Sequence, residues 1–218
     1  MAEPQDPVSL PIADCGICPF RGKTLLMGRC MPGDTCVSAH SGRQIDRFFR
    51  VNPVYAIHYL QDDFWERRAI AARYAPEKAL LSLIDDEDEV VRRAVAYRLP
   101  PHQLLTWVHD PDREVRMTVA DRIDLQHIEL LANDPDYIVR ATVVKRLAAG
   151  RLFRFIKDPE RLTPEDAVQL IRDSDWLVRY TVAQKLETQY LSMLLDDPEP
   201  DVREVALQRL QEPDNSHD

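Results

Sequence analysis

Glycine is scarce in this chain of 218 residues, and what there is sits at one end. Of 6 Gly, five (Gly16, Gly22, Gly28, Gly33, Gly42) fall in the first 42 residues, and Gly150 alone follows. Cysteine is confined further: all 4 Cys lie between Cys15 and Cys36. Apolar runs approaching the length of a membrane helix, roughly 18 residues, are missing, which excludes a helical membrane span. The opening Met1-Ala-Glu-Pro-Gln-Asp lacks a basic stretch followed by an apolar one, so no secretory signal is expected and the cytoplasm is the expected compartment. Basic charge is also short, with 28 Lys and Arg against 37 Asp and Glu for a net −9. That balance argues against a generic polyanion binder and makes nucleic acid a poor partner.

What is abundant is repetition. The string Val-Arg-x-x-Val-Ala-x-Arg-Leu runs from Val91 to Leu99 and returns in related form at Val115–Ile123, Val139–Leu147, Val178–Leu186 and Val202–Leu210. A weaker copy spans Glu66 to Tyr74. The first arginines, at 67, 92, 116, 140, 179 and 203, are spaced 25, 24, 24, 39 and 24, so the period is 24. The 39-residue interval is read as one further repeat that has lost nine residues of its long helix (158–172), and a local irregularity is expected there.

Each copy has one plan. An Asp-x-Asp turn (Asp86/Asp88, Asp110/Asp112, Asp134/Asp136, Asp173/Asp175, then Asp197/Glu199) precedes a segment with apolar residues at helical spacing, and the second Asp suits an N-cap. A shorter apolar segment follows, with Pro76, Pro101 or Pro164 near its start. A unit of this length holds one α-helix of about 11 residues and a short, 3₁₀-like helix. No strand alternation is present. The expected fold is all-α, a right-handed α-solenoid of two-helix units. The repeated Arg and Asp residues are expected to form ladders between neighbouring units.

The cysteines read Cys15-x2-Cys18-x11-Cys30-x5-Cys36. Four Cys in a loop-rich stretch of a chain without an export signal point to a metal site ahead of disulfides. Spacing leaves zinc and an iron–sulfur cluster open, since both are thiophilic. Arg21, Lys23 and Arg29 would offset thiolate charge, and His40 is the one nearby imidazole. Together, the cysteine segment and the 24-residue repeats resemble the leucine-rich repeat variant proteins with an N-terminal iron–sulfur segment. That resemblance implies a [4Fe–4S] cluster held by Cys15, Cys18, Cys30 and Cys36, alternation of α and 3₁₀ helices, and a link to nitrogen fixation.

Other chemistry is absent. Arg21-Gly22-Lys23-Thr24 ends like a phosphate loop, but Gly16 lies one residue too far upstream. His58, His102, His109 and His127 are scattered, and no catalytic constellation appears, so the chain is read as a non-enzyme. Trp65, Trp107 and Trp176, with Phe48 and Phe49, are expected in the core. Arg43–Arg50 is expected to cap the repeats and dock the cluster segment, which requires both phenylalanines to be buried. The expected organisation is a cluster segment (1–42), a repeat region (43–211) and a flexible acidic tail (212–218). The function expected is a protein-interaction scaffold or redox-responsive module with a protein partner on the solenoid surface. An electron-transfer protein docking through the solenoid is the alternative.

Overall fold

The computed structural model describes residues 13–148 and 170–211. Eight α-helices occur among them: α1 (Gly42–Val51), α2 (Trp65–Tyr74), α3 (Glu77–Leu80), α4 (Glu89–Arg98), α5 (Arg113–Arg122), α6 (Tyr137–Arg146), α7 (Trp176–Lys185) and α8 (Pro200–Gln211). Between the long helices run 3₁₀ segments at Pro53–Tyr59, Leu81–Leu83, Pro101–Trp107, Ile128–Leu131 and Thr188–Leu194. No strand is present among the described residues beyond one isolated bridge, Met31 with Thr35. The architecture is an all-helical repeat, and the chain divides into two compact units, Met1–Leu99 and Pro100–Asp218.

The alternation of helix types follows from the spacing of apolar residues. In the long helices the buried positions recur at i, i+4, i+5 and i+8, as in Val115, Val119, Ala120 and Ile123, which an α-helix brings to one side. In the short segments they recur at i and i+3, as in Leu104 and Trp107, Ile128 and Leu131, Leu191 and Leu194. A helix with three residues to the turn stacks i over i+3, so the 3₁₀ form buries both side chains.

The aspartate turns supply the caps. Asp88 accepts from the Val90 and Val91 amides, Asp112 from Glu114 and Val115, Asp136 from Ile138, and Asp175 from Leu177. Each such cap contributes on the order of 1 kcal/mol. The first Asp of each turn joins two repeats: Arg68 grips Asp86, Arg116 grips Asp134, Arg140 grips Asp173 and Arg179 grips Asp197, each by two N–H groups at 2.7–3.1 Å. The second arginine row anchors to backbone. Arg146 donates to the Ala120 carbonyl at 2.8 Å, and Arg209 to those of Ala183 and Leu186 at 2.8 and 2.7 Å. These arginines satisfy carbonyls that the end of the preceding helix leaves open.

Two sequence expectations change. The ladder arginine of the first repeat is Arg68, not Arg67. Arg67 stands at the position occupied by Val91 and Val115 and turns to Asp62 of its own turn at 2.8 Å. With Arg68 in register, the opening interval shortens to 24 (92 − 68). Trp107 is buried, but Trp65 and Trp176 are 40% and 44% exposed, because they begin the long helices where the first turn faces solvent. The expected truncated repeat at 158–172 lies mostly outside the described residues, as does the 212–218 tail. What is described on either side shows α6 packed directly on α7.

Candidate metal centre

The cysteine segment is tied down by the helix that follows it. Phe48 and Phe49 on α1 are fully buried, as the capping role requires. The ring of Phe20, two residues after Cys18, packs on Tyr55 at 4.4 Å, Phe48 at 6.0 Å and Tyr59 at 6.1 Å. This aromatic group fixes the first loop against α1 and the 3₁₀ segment beyond it.

Separate polar contacts hold the second pair of cysteines. Asn52, almost fully buried at the end of α1, donates its side-chain amide to the carbonyls of Arg29 (2.7 Å) and Phe48 (3.0 Å). Arg29 precedes Cys30, so Asn52 sets the backbone beside that cysteine. The loop then reverses through the Met31–Thr35 bridge with Gly33 at φ 80°. A positive φ of this size suits glycine, which has no Cβ to clash. Gln44 on α1 receives the Cys36 amide on its backbone carbonyl at 3.2 Å and donates its side chain to the Gly33 carbonyl at 2.8 Å. An ion pair between Arg47 and Asp34 adds a third tie.

Cys15, Cys18, Cys30 and Cys36 line one cavity, together with Arg21, Leu25 and Val37. All four are free thiols, with Cys36 buried and the others partly exposed. Burial pushes the Cys30 thiol up, and the charges of Cys36, Cys18 and Cys15 push it further while Thr24 opposes. Burial also raises Cys36, against hydrogen bonds from the Ser38 and Ala39 backbone and with Cys15 and Cys18 again adding to the rise. The four sulfurs therefore act on one another, and the cost of charging them together would be relieved by a cationic metal centre. Among the described residues no group of three or more His, Cys, Asp or Glu is arranged as it stands to hold a single ion. The four-thiol donor set around a shared cavity, with backbone amides on Cys36, fits an iron–sulfur group.

The remaining candidates separate. Arg21, Lys23 and Arg29 are all exposed, and of the three Arg21 lines the cavity. His40 is exposed beside the Phe64 ring at 5.6 Å and does not line the cysteine cavity. Arg21–Leu25 is a π-helical turn in which the buried Thr24 hydroxyl donates to the Phe20 carbonyl at 3.0 Å, so this stretch is no phosphate loop. Sequence spacing does not mark Asn52, Gln44 or Tyr59 as supports. Only the Asn52-Pro53 turn signal draws attention to one of them.

Residues 11–58 match the family described as "LRV protein FeS4 cluster", and residues 90–112 match "Leucine rich repeat variant". A solved structure, "a leucine-rich repeat variant with a novel repetitive protein structural motif", is 51% identical over 94% of this chain and 96% of its own, with a TM-score of 0.68. The chain belongs to the leucine-rich repeat variant family. Within a leucine-rich repeat variant protein, the alternating α and 3₁₀ helices and the N-terminal cysteine segment are the parts that these matches cover. A further relative, the "uncharacterized 27.7 kDa protein in nifB 3'region" of Rhodobacter capsulatus, is 38% identical over 87 residues, which is 40% of this chain and 35% of that protein. The match to an FeS4 segment leaves the zinc alternative without support.

Proposed function

We propose that Cys15, Cys18, Cys30 and Cys36 hold a [4Fe–4S] cluster and that the chain acts as a non-enzymatic, cluster-bearing interaction module. The observation that carries the reading is the convergence of four free thiols on one cavity braced by α1. When bound, such a cluster supplies a one-electron redox centre that is sensitive to oxidation. The protein's own part is to shape the pocket. Asn52 and Gln44 position the second ligand pair, the amides of Ser38 and Ala39 stabilise the Cys36 thiolate, and Arg21 offsets negative charge. Four cysteines complete the cluster's protein ligation and leave no open iron for a substrate, which favours a structural or sensing role over catalysis.

Free thiols suit a reducing compartment such as the cytoplasm. No helix among the described residues is long and apolar enough to cross a membrane. The Rhodobacter relative's position beside nifB supports a role connected with nitrogen fixation. The ligand assignment is tested by purifying C15S, C18S, C30S and C36S anaerobically and comparing their sulfur-to-iron absorption with the parent. Loss in all four is expected. Full retention in any one removes that cysteine from the ligand set.

One observation favours electron transfer as the second reading. Ile17, Leu26, Met27 and Met31, on the loops that carry the cysteines, are 83%, 82%, 62% and 60% exposed. Exposed apolar side chains on these loops would give a redox partner apolar contacts beside the cysteines. A reversible one-electron couple in anaerobic voltammetry would favour that reading. Irreversible loss of the cluster on oxidation favours the sensing module.

A further inference from the structure

We propose that the outer face of α8 is a docking surface for a partner protein that presents an acidic turn leading into a helix. The proposal rests on the reading of this chain as an interaction module, and it adds the place and the chemistry of the partner.

Repetition within the second unit shows what this face is built to meet. Each ladder arginine divides its guanidinium between two tasks. Arg116 donates one amino group to the carbonyls of Asp110 and Pro111 in its own turn, at 2.8 and 3.2 Å, and points its other edge at the carboxylate of Asp134. Arg140 and Arg179 do the same, with Asp173 and Asp197 as the carboxylates. Arg203 on α8 makes the first set of contacts, to the carbonyls of Asp197 and Pro198 at 2.5 and 3.0 Å. Its second edge meets no carboxylate among the described residues. The guanidinium is thus already oriented, and a carboxylate could be gripped with little further loss of side-chain freedom.

Two apolar residues lie on the same helix. Leu207 occupies the position of Ala120, Val144 and Ala183, and Leu210 that of Ile123, Leu147 and Leu186. All six counterparts are fully buried, whereas Leu207 and Leu210 are 47% and 37% exposed. The face therefore offers one oriented cation beside two apolar contacts. Three copies in the same unit show the complement to the cation: the aspartate that opens an Asp-x-Asp turn. Exposed Asp201 and Glu204 on α8 set the surface against a polyphosphate, so the partner is a protein segment.

The test uses the full-length chain and, as probe, a labelled peptide with the sequence of Thr188–Gln211. Saturable binding by fluorescence anisotropy is expected, weakened at least tenfold by R203Q in the chain and by D197N in the peptide. Because a free peptide must fold as it binds, the same segment is also joined directly after Gln211. This join places the added aspartate as far beyond Arg203 as Asp197 lies beyond Arg179. The extended chain is expected to melt higher than the parent, with the gain lost in R203Q. A melting temperature equal to the parent's, or a gain that survives R203Q, overturns the proposal. Self-association of the unextended chain that disappears in R203Q would also overturn it, by assigning the face to a second copy. Iron and sulfide content should be unchanged in R203Q, so failure here is distinguishable from failure of the cluster assignment.

Discussion

Arg140 on α6 holds the carboxylate of Asp173 through two N–H groups at 2.7 Å, although 33 positions separate them. Elsewhere the same pair spans 18 positions, as between Arg116 and Asp134 or Arg179 and Asp197. The difference, 33 − 18 = 15, is the whole of the excess in the 39-residue interval. The extra residues are thus accommodated without breaking the ladder, and α6 meets α7 in the register of any other neighbours.

This pairing has a measurable consequence. The Arg140 and Asp173 side chains retain only 13% and 5% exposure. Removing one partner therefore leaves a buried charge unmatched, and D173A should lower the unfolding free energy by about 3 kcal/mol, read from urea or thermal denaturation. A loss below about 1 kcal/mol, the range of an exposed pair, would show that the bridge does not hold the two helices.

Acid should weaken the ladder in a defined direction. Burial by itself would raise the Asp197 carboxyl, but hydrogen bonds from Arg179 and the Glu199 amide, with the charges of Arg179 and Arg203, bring the net shift below the usual carboxylate range. A carboxyl depressed in the folded state contributes stability above its unfolded value, about 3.9, and loses that contribution as pH falls through its folded value. Stability should therefore decline on acidification below about pH 4. The D197N variant should be less stable at neutral pH and show a shallower acid decline. Parallel pH profiles for the two proteins would show that Asp197 does not carry the acid dependence.

Asn52 links the helix end to the ligand loop, through hydrogen bonds to the Arg29 and Phe48 carbonyls. N52A deletes both and leaves the Arg29 carbonyl short of a donor, while the Phe48 carbonyl keeps the backbone amide of residue 52, at a cost of about 1–3 kcal/mol. Faster bleaching of the cluster absorption in air is also expected, because the Cys30 backbone is released. Equal bleaching rates in N52A and the parent would confine Asn52 to a purely structural role.

Gly33 allows the reversal between Cys30 and Cys36, with φ in the left-handed region and open space around its Cα. Any residue with a Cβ is strained there, so G33A should cost about 1–2 kcal/mol despite the room available. The same substitution at Gly22, where neither positive φ nor crowding applies, should be close to neutral in the same thermal melt. Equal losses at the two positions would contradict this account of the loop.

Much of the fold can be read from the residues, for a physical reason. Asp88, Asp112, Asp136 and Asp175 cap their helices through contacts two and three residues away, and local chemistry of that kind is carried by sequence spacing. Period alone places the arginine ladder. Held strictly at 24, it selects Arg68 over the adjacent Arg67, which lies 25 residues before Arg92, and the grip of Arg68 on Asp86 agrees. Trp65 and Trp176 look like core by composition, yet their place in the first helical turn leaves them half exposed. At the candidate site the four cysteines are evident from their spacing, whereas their supports are not. Asn52 reaches Arg29 across 23 positions, and Gln44 reaches Gly33 across 11, contacts that no local pattern encodes.

The proposed function stands on four cysteines at one cavity holding an iron–sulfur cluster. Its most direct test is the iron, acid-labile sulfide and zinc content of the full chain purified without oxygen. About four iron and four sulfide per chain, with no zinc, are expected. One zinc per chain and no sulfide would contradict the claim.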